Sequence, residues 1–143
     1  MSDGIAGWGQ ATGHASLVSL AFSAMERAYA PYSRFRVGAA IRGVDGSETS
    51  GCNVENASYP AGICAERSAV AAAVARGVRG FTTLVVATEA DEPTPPCGIC
   101  RQVLVEFAPS LEIVSVTAGG ASAAWRLVDL IPAPFTPHSL AHS

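Results

Sequence analysis

The apolar positions of this chain follow two periods. Between His14 and Ala30, Leu17, Ala21, Ala24 and Ala28 recur on one face of a helix, with Val18, Phe22, Met25 and Tyr29 beside them, and Pro31 ends the run. From Phe35 to Arg42 the period shortens to two, with Val37, Ala39 and Ile41 on one side, which predicts a strand. Val44-Asp45-Gly46-Ser47 reads as a hairpin turn, and a second strand is expected from Glu48 to Asn53. Asn53 to Pro60 has the polarity of a loop dense in hydrogen-bonding groups. A second helix is predicted over Cys64 to Arg76, stopped by Gly77. Its body, Ser68 to Ala75, is small and apolar on every side, which predicts burial on most faces. Thr82 to Thr88 contains the unbroken apolar run of a central strand covered on both sides. A proline-rich loop, Glu89 to Pro96, leads to a third helix, Cys97 to Ala108, with Val103, Leu104 and Phe107 facing inward. Strands are then expected over Leu111 to Val116 and Ala123 to Leu127, separated by a turn at Gly119-Gly120. The tail from Leu130 to Phe135 is apolar and broken by proline.

The resulting order, αββαβαββ, predicts one three-layer α/β domain over residues 14–143. Its central strand-helix-strand-helix-strand run implies right-handed crossovers between parallel neighbours. Residues 1–13 are rich in glycine and lack periodicity, and read as a flexible N-terminal segment.

Composition narrows the functional classes. The chain has 143 residues, 49% hydrophobic and 15% charged, enough to build a core and to leave apolar surface for self-association. A net charge of -3 with no basic run argues against a nucleic-acid polymer as partner. No apolar stretch approaches the roughly 18 residues of a membrane span. No secretory signal is visible, so a cytoplasmic location is expected, and the four cysteines point to metal rather than disulfides.

Cys64-Ala65-Glu66-Arg67 and Pro96-Cys97-Gly98-Ile99-Cys100 carry the chemistry. Each begins a predicted helix, where unpaired N–H groups and the helix dipole favour thiolates. Three thiolates can hold a zinc ion and leave its fourth position to water, with Glu66 placed to handle that water's protons. Arg67 is expected to donate to the thiolate sulfurs and drain their excess charge. Other readings stay open on the residues alone. Cys97 and Cys100 fit a dithiol redox pair, and Cys52 could close a four-cysteine structural zinc site. Cys52 reads better as a small buried hydrophobe. His14, His138 and His142 lie near the termini with no partner motif.

These motifs match the C-x-E…P-C-x-x-C pattern of zinc nucleobase deaminases. With Tyr29-Ala30-Pro31-Tyr32-Ser33-Arg34-Phe35, Val37 to Ala40, Gly51 to Tyr59, Arg101 to Leu104, and Leu130-Ile131-Pro132 with Phe135, the chain resembles the small homotetrameric cytidine deaminases from about residue 15 to 140. The resemblance implies a three-layer α/β/α fold with a mixed five-stranded sheet and helices on both faces. It implies zinc, one per chain, on Cys64, Cys97 and Cys100, with Glu66 as proton shuttle. It further implies Asn53 and Glu55 on the ribose hydroxyls, Phe35 against the pyrimidine and the Ala65 N–H at the base carbonyl. Tyr59 and Phe135 are implied at subunit contacts, where a neighbouring chain completes the pocket. The expected reaction is hydrolytic deamination of free cytidine and 2′-deoxycytidine, in pyrimidine salvage. Its alternatives are deamination of another aminopyrimidine, such as a nucleoside antibiotic, and a non-catalytic zinc-stabilised module.

Overall fold

In the computed structural model, which describes residues 13–141, the chain runs through α1 (Ala15–Met25), β1 (Val37–Gly43), β2 (Glu48–Cys52), α2 (Ala65–Ala75), β3 (Phe81–Thr88), α3 (Gly98–Phe107), β4 (Glu112–Thr117), β5 (Ser122–Arg126) and α4 (Leu127–Leu130). The expected flexible segment lies outside the described residues, apart from Gly13.

The strands form one five-stranded sheet in the order β2-β1-β3-β4-β5. Alternation along the strands divides its core in two. Ala39, Ile41, Leu84, Val86 and Ile113 face α2 and α3, packing with Ala65, Ala69 and Leu104. Ala40, Val85, Ala87, Val114 and Val116 face α1, meeting Leu17, Val18 and Ala21. This is the expected three-layer arrangement, with β3 covered on both sides. Close approach on the α1 face depends on Gly38, where a Cβ would stand 1.8 Å from the Ala21 carbonyl oxygen.

The sheet is mixed, as the family resemblance implied, and of the two parallel pairings expected of the central run one is found. Only β3 and β4 are parallel neighbours; β1 pairs antiparallel with both β2 and β3, and β4 pairs antiparallel with β5. The crossover through α2 therefore passes over β1, leaving β2 and β3 separated. The short hairpin at Asp45-Gly46 fixes β1 to β2, and the more deeply buried β1 offers its other edge to the apolar β3.

Two boundaries also differ for reasons the backbone shows. The first helix ends at Met25 rather than Ala30. Beyond it, the Tyr29 N–H donates to the Asn53 carbonyl at 2.9 Å and the Tyr29 carbonyl accepts from the Glu55 N–H at 2.8 Å, so these residues bridge to the polar loop instead of continuing the helix. Leu127 opens the short α4 rather than closing β5, and its N–H donates to the Leu111 carbonyl at 2.9 Å. Helix α2 is also less enclosed than its composition predicts, since Ala71 and Ala75 are exposed. Small side chains allow close packing, but they do not say whether this chain or another supplies the neighbour.

Candidate metal centre and substrate cleft

Cys64 and Cys97 occupy equivalent positions, each the extended residue that caps the N-terminus of α2 or α3. The two helix starts lie side by side, and Cys100 follows one turn into α3. The sulfurs of Cys64, Cys97 and Cys100 all lie within 4.8 Å of one another. Those of Cys97 and Cys100 are 3.6 Å apart. Sulfurs bound about 2.3 Å from a tetrahedral zinc stand about 3.8 Å from each other, so this donor set has the size and softness for that ion. Cys52 does not join the cluster. It is half-buried at the end of β2, so its reading as a small buried hydrophobe is only partly met.

The electrostatics around the sulfurs are uneven. A hydrogen bond from Cys100, then the Arg67 guanidinium, draws the Cys64 thiol down to about 5, while burial opposes the shift. Cys100 moves the other way, driven first by that shared bond with Cys64 and then by burial. A divalent cation bound among these sulfurs would displace the protons they carry. Arg67 donates from Nη2 to the Cys64 sulfur at 3.8 Å. Its Nε is buried without a hydrogen-bond partner among the described residues.

Glu66 points to the same place from the first turn of α2. Only 6% exposed, it is raised to about 7, mainly because burial disfavours its charged form. The neighbouring Cys64 thiolate adds to that rise, and Arg67 opposes it. A bound cation would favour the carboxylate again.

A cleft of about 220 Å³ opens over these groups. Glu66, Cys64 and Cys97 line its metal end, and Phe35, Asn53, Glu55 and Ala65 contribute the other walls. The structure therefore gathers residues that are widely separated in sequence. Ser33, Val37, Val86, Thr94 and Pro95 complete the lining. Val86 had a legible signal, being near the carboxyl end of the central strand, where open α/β sheets bind ligands. Thr94 is held there by its N–H bond to the buried Ser115 hydroxyl, at 2.9 Å.

Asn53 and Glu55 are already tied to the chain around Phe35. The Asn53 side-chain oxygen accepts from the Val37 N–H and its nitrogen donates to the Phe35 carbonyl, both at 2.8 Å. Glu55 accepts from the N–H groups of Tyr32 and Ser33, at 3.0 and 3.1 Å, and from the Ser33 hydroxyl. One Asn53 N–H and further carboxylate lone pairs remain for a ligand.

Tyr59 and Phe135 stand apart from the Glu66 cleft. Tyr59 is 76% exposed and packs edge-on against Tyr32, with ring centroids 6.0 Å apart, at a neighbouring depression that also includes Ser33 and Glu55. Phe135 is 59% exposed and lies outside the cleft walls.

Three thiols at paired helix starts, a buried glutamate beside them and an aromatic-walled cleft fit the class of zinc-dependent hydrolytic deaminases. Comparison with known proteins narrows it. Residues 11–116 match the family described as "Cytidine and deoxycytidylate deaminase zinc-binding region". A cytidine deaminase of Sporosarcina psychrophila is 39% identical over 128 residues, covering 89% of this chain and 94% of its own length. One from Halalkalibacterium halodurans is 48% identical over 94 residues, covering 66% of this chain and 71% of its own. The crystal structure of cytidine deaminase from Burkholderia pseudomallei superposes with a TM-score of 0.82 at 46% identity, covering 85% of this chain and 98% of that one. The chain belongs to the cytidine deaminase family, and zinc is its cofactor.

Proposed function

We propose that this protein hydrolyses cytidine and 2′-deoxycytidine to uridine and 2′-deoxyuridine, releasing ammonia, as a step of pyrimidine salvage. The observation that carries this reading is the buried Glu66 carboxyl beside the three-thiol group, on the floor of a cleft walled by Phe35 and Asn53. When bound, zinc supplies Lewis-acid activation, lowering the pKa of a water at its open position. Glu66 accepts the proton of the attacking water and delivers it to ring N3, which makes C4 more electrophilic. It then carries a proton to the amine leaving C4, so that water adds and ammonia departs with no net change at the carboxylate. Phe35 offers the base an apolar face, and the unpaired Ala65 N–H at the start of α2 would donate to the base carbonyl. Asn53 and Glu55 supply the mixed donors and acceptors that a ribose diol requires, which favours an intact nucleoside over another aminopyrimidine.

The substrate is read as a free nucleoside, since the chain has net charge -3 and no cationic run to track a strand. Completion of the cleft by a neighbouring chain, in the homotetramer that the family resemblance implies, is supported by the chain's apolar content, 49% hydrophobic with 15% charged. Tyr59 and Phe135, both exposed in the single chain, would then lie at subunit contacts. A reducing, cytoplasmic compartment suits four free cysteines. Among the described residues no helix is long and apolar enough to cross a membrane.

The test is ammonia release from cytidine by zinc-loaded protein, beside Glu66→Ala. Turnover that is lost in the variant while one zinc per chain stays bound is the expected result. No turnover in a zinc-loaded parent would overturn the cytidine assignment; other aminopyrimidines, a nucleoside antibiotic among them, would be assayed next. Inertness toward all of them would leave a zinc-stabilised module.

A further inference from the structure

Arg101 makes three ties at the start of α3. Its backbone N–H donates to the Cys97 carbonyl at 3.0 Å. Its Nε donates to the carbonyl of the buried Pro96 at 2.7 Å, and its Nη1 donates to the Leu130 carbonyl at 3.0 Å. No ion pair with a carboxylate engages this guanidinium among the described residues. Its side-chain bonds therefore serve to join two backbone segments. Gln102, the next residue, donates from Nε2 to the Phe135 carbonyl at 2.6 Å.

These ties fall where the metal centre has least other support. Cys100 is buried within α3 and Cys64 is half-buried against Arg67, but Cys97 is exposed at the helix cap. The peptide between Pro96 and Cys97 sets the direction of the Cys97 side chain, and Arg101 holds its carbonyl oxygen. The opposite side of the guanidinium ends on the last residue of α4, five positions before Phe135. A single side chain thus links the orientation of the exposed cysteine to the start of the C-terminal segment.

We propose that Arg101 is a positioning residue, which holds Cys97 as a metal ligand and couples it to the C-terminal segment through the carbonyls of Pro96 and Leu130. The proposal rests on the assignment of Cys64, Cys97 and Cys100 as the zinc ligands. Arg101→Gln shortens the side chain and removes the forked donor, leaving the Pro96 carbonyl without its partner. Cys97 then becomes the first ligand to detach.

The test uses zinc-loaded full-length protein. Zinc release to a chromogenic chelator is timed, and iodoacetamide labelling of each cysteine is followed by mass spectrometry. Expected for Arg101→Gln is release faster by about 10–100-fold, with Cys97 labelled ahead of Cys100 and Cys64. Val114→Ala serves as a control, since it loosens the opposite face of the sheet. It should lower the melting temperature without advancing Cys97 labelling. Gln102→Leu should leave zinc release at the parent rate, since it frees the Phe135 carbonyl and not that of Pro96. Parent-like release and labelling in a folded Arg101→Gln protein would overturn the proposal. Equal advancement of Cys97 labelling in Val114→Ala would do so too, since general loosening would then explain it. A parent that binds no zinc would instead overturn the ligand assignment itself.

Discussion

Gly51 of β2 and Ala69 of α2 meet backbone to backbone: a Cβ on Gly51 would stand 2.4 Å from the Ala69 nitrogen and 2.8 Å from the Ser68 carbonyl carbon. Neither is the end of a flexible side chain, so the helix itself would have to move. Helix α2 begins at the Cys64 cap and carries Glu66 in its first turn. Gly51→Ala should therefore cost about 1–3 kcal/mol in overpacking and displace part of the metal centre. Gly119→Ala, whose Cβ would approach nothing nearer than the Thr117 hydroxyl at 4.0 Å, should stay within about 0.5 kcal/mol of the parent. Urea unfolding of both variants measures the difference; equal midpoints and slopes would refute the close-contact argument.

Arg67 and Cys64 provide a second prediction. The 3.8 Å bond from the guanidinium to sulfur spreads thiolate charge away from the metal position. With Arg67→Gln, three undiminished thiolates would leave a bound water less acidic and poorer as a nucleophile. Turnover should fall by about 10–100-fold, the usual scale for losing such a partner, while zinc stays bound. Parent-like zinc affinity together with parent-like turnover would show that the pair is incidental.

The metal centre was legible in the sequence because each half is local. Cys64 with Glu66, and Cys97 with Cys100, are set by the geometry of one helix start apiece, and spacing expresses that directly. The pairing of β1 between β2 and β3 was not, because alternation identifies buried positions and not which strand edges meet. Tyr29 shows the same gap: its apolar side chain continues a helical pattern, whereas its backbone is committed to Asn53 and Glu55. Ala71 and Ala75 show another, since an alanine-rich helix looks alike whether its cover comes from the same chain or a second one. Asn53 and Glu55 were recognisable as a polar loop pair, but their bonds around Phe35 depend on the fold bringing two loops together.

Those bonds give a pH-dependent prediction. The Ser33 hydroxyl, followed by the Ser33 N–H, holds the Glu55 carboxyl below its ordinary value against the opposing effect of burial, with a lesser contribution from the Tyr32 N–H. A depressed folded pKa means that this turn is stabilised above the unfolded pKa, and the contribution is lost as pH falls through the folded value. Carboxyl-carbon NMR titration should place Glu55 below the ordinary glutamate value of about 4.3 in the parent. Ser33→Ala should move it upward by removing the largest cause. An unchanged Glu55 titration in Ser33→Ala would sink this account, whatever the variant did to activity.

Cys52 allows the open coordination position to be tested without relying on turnover. It sits at the end of β2 and is absent from the group of sulfurs that lie within 4.8 Å of one another. Cys52→Ala should therefore retain one zinc per chain and release it at the parent rate. Cys100→Ala removes a fully buried member of the three-sulfur group and should abolish tight binding. Metal binding also stabilises whichever folded state supplies its ligands. Chelation should lower the melting temperature of the parent and of Cys52→Ala alike, with recovery on adding one equivalent of zinc. If Cys52→Ala instead lost the metal, Cys52 would be a fourth thiolate and the site would be closed. Glu66 would then have no bound water to deprotonate, and the catalytic reading would fall with that single measurement.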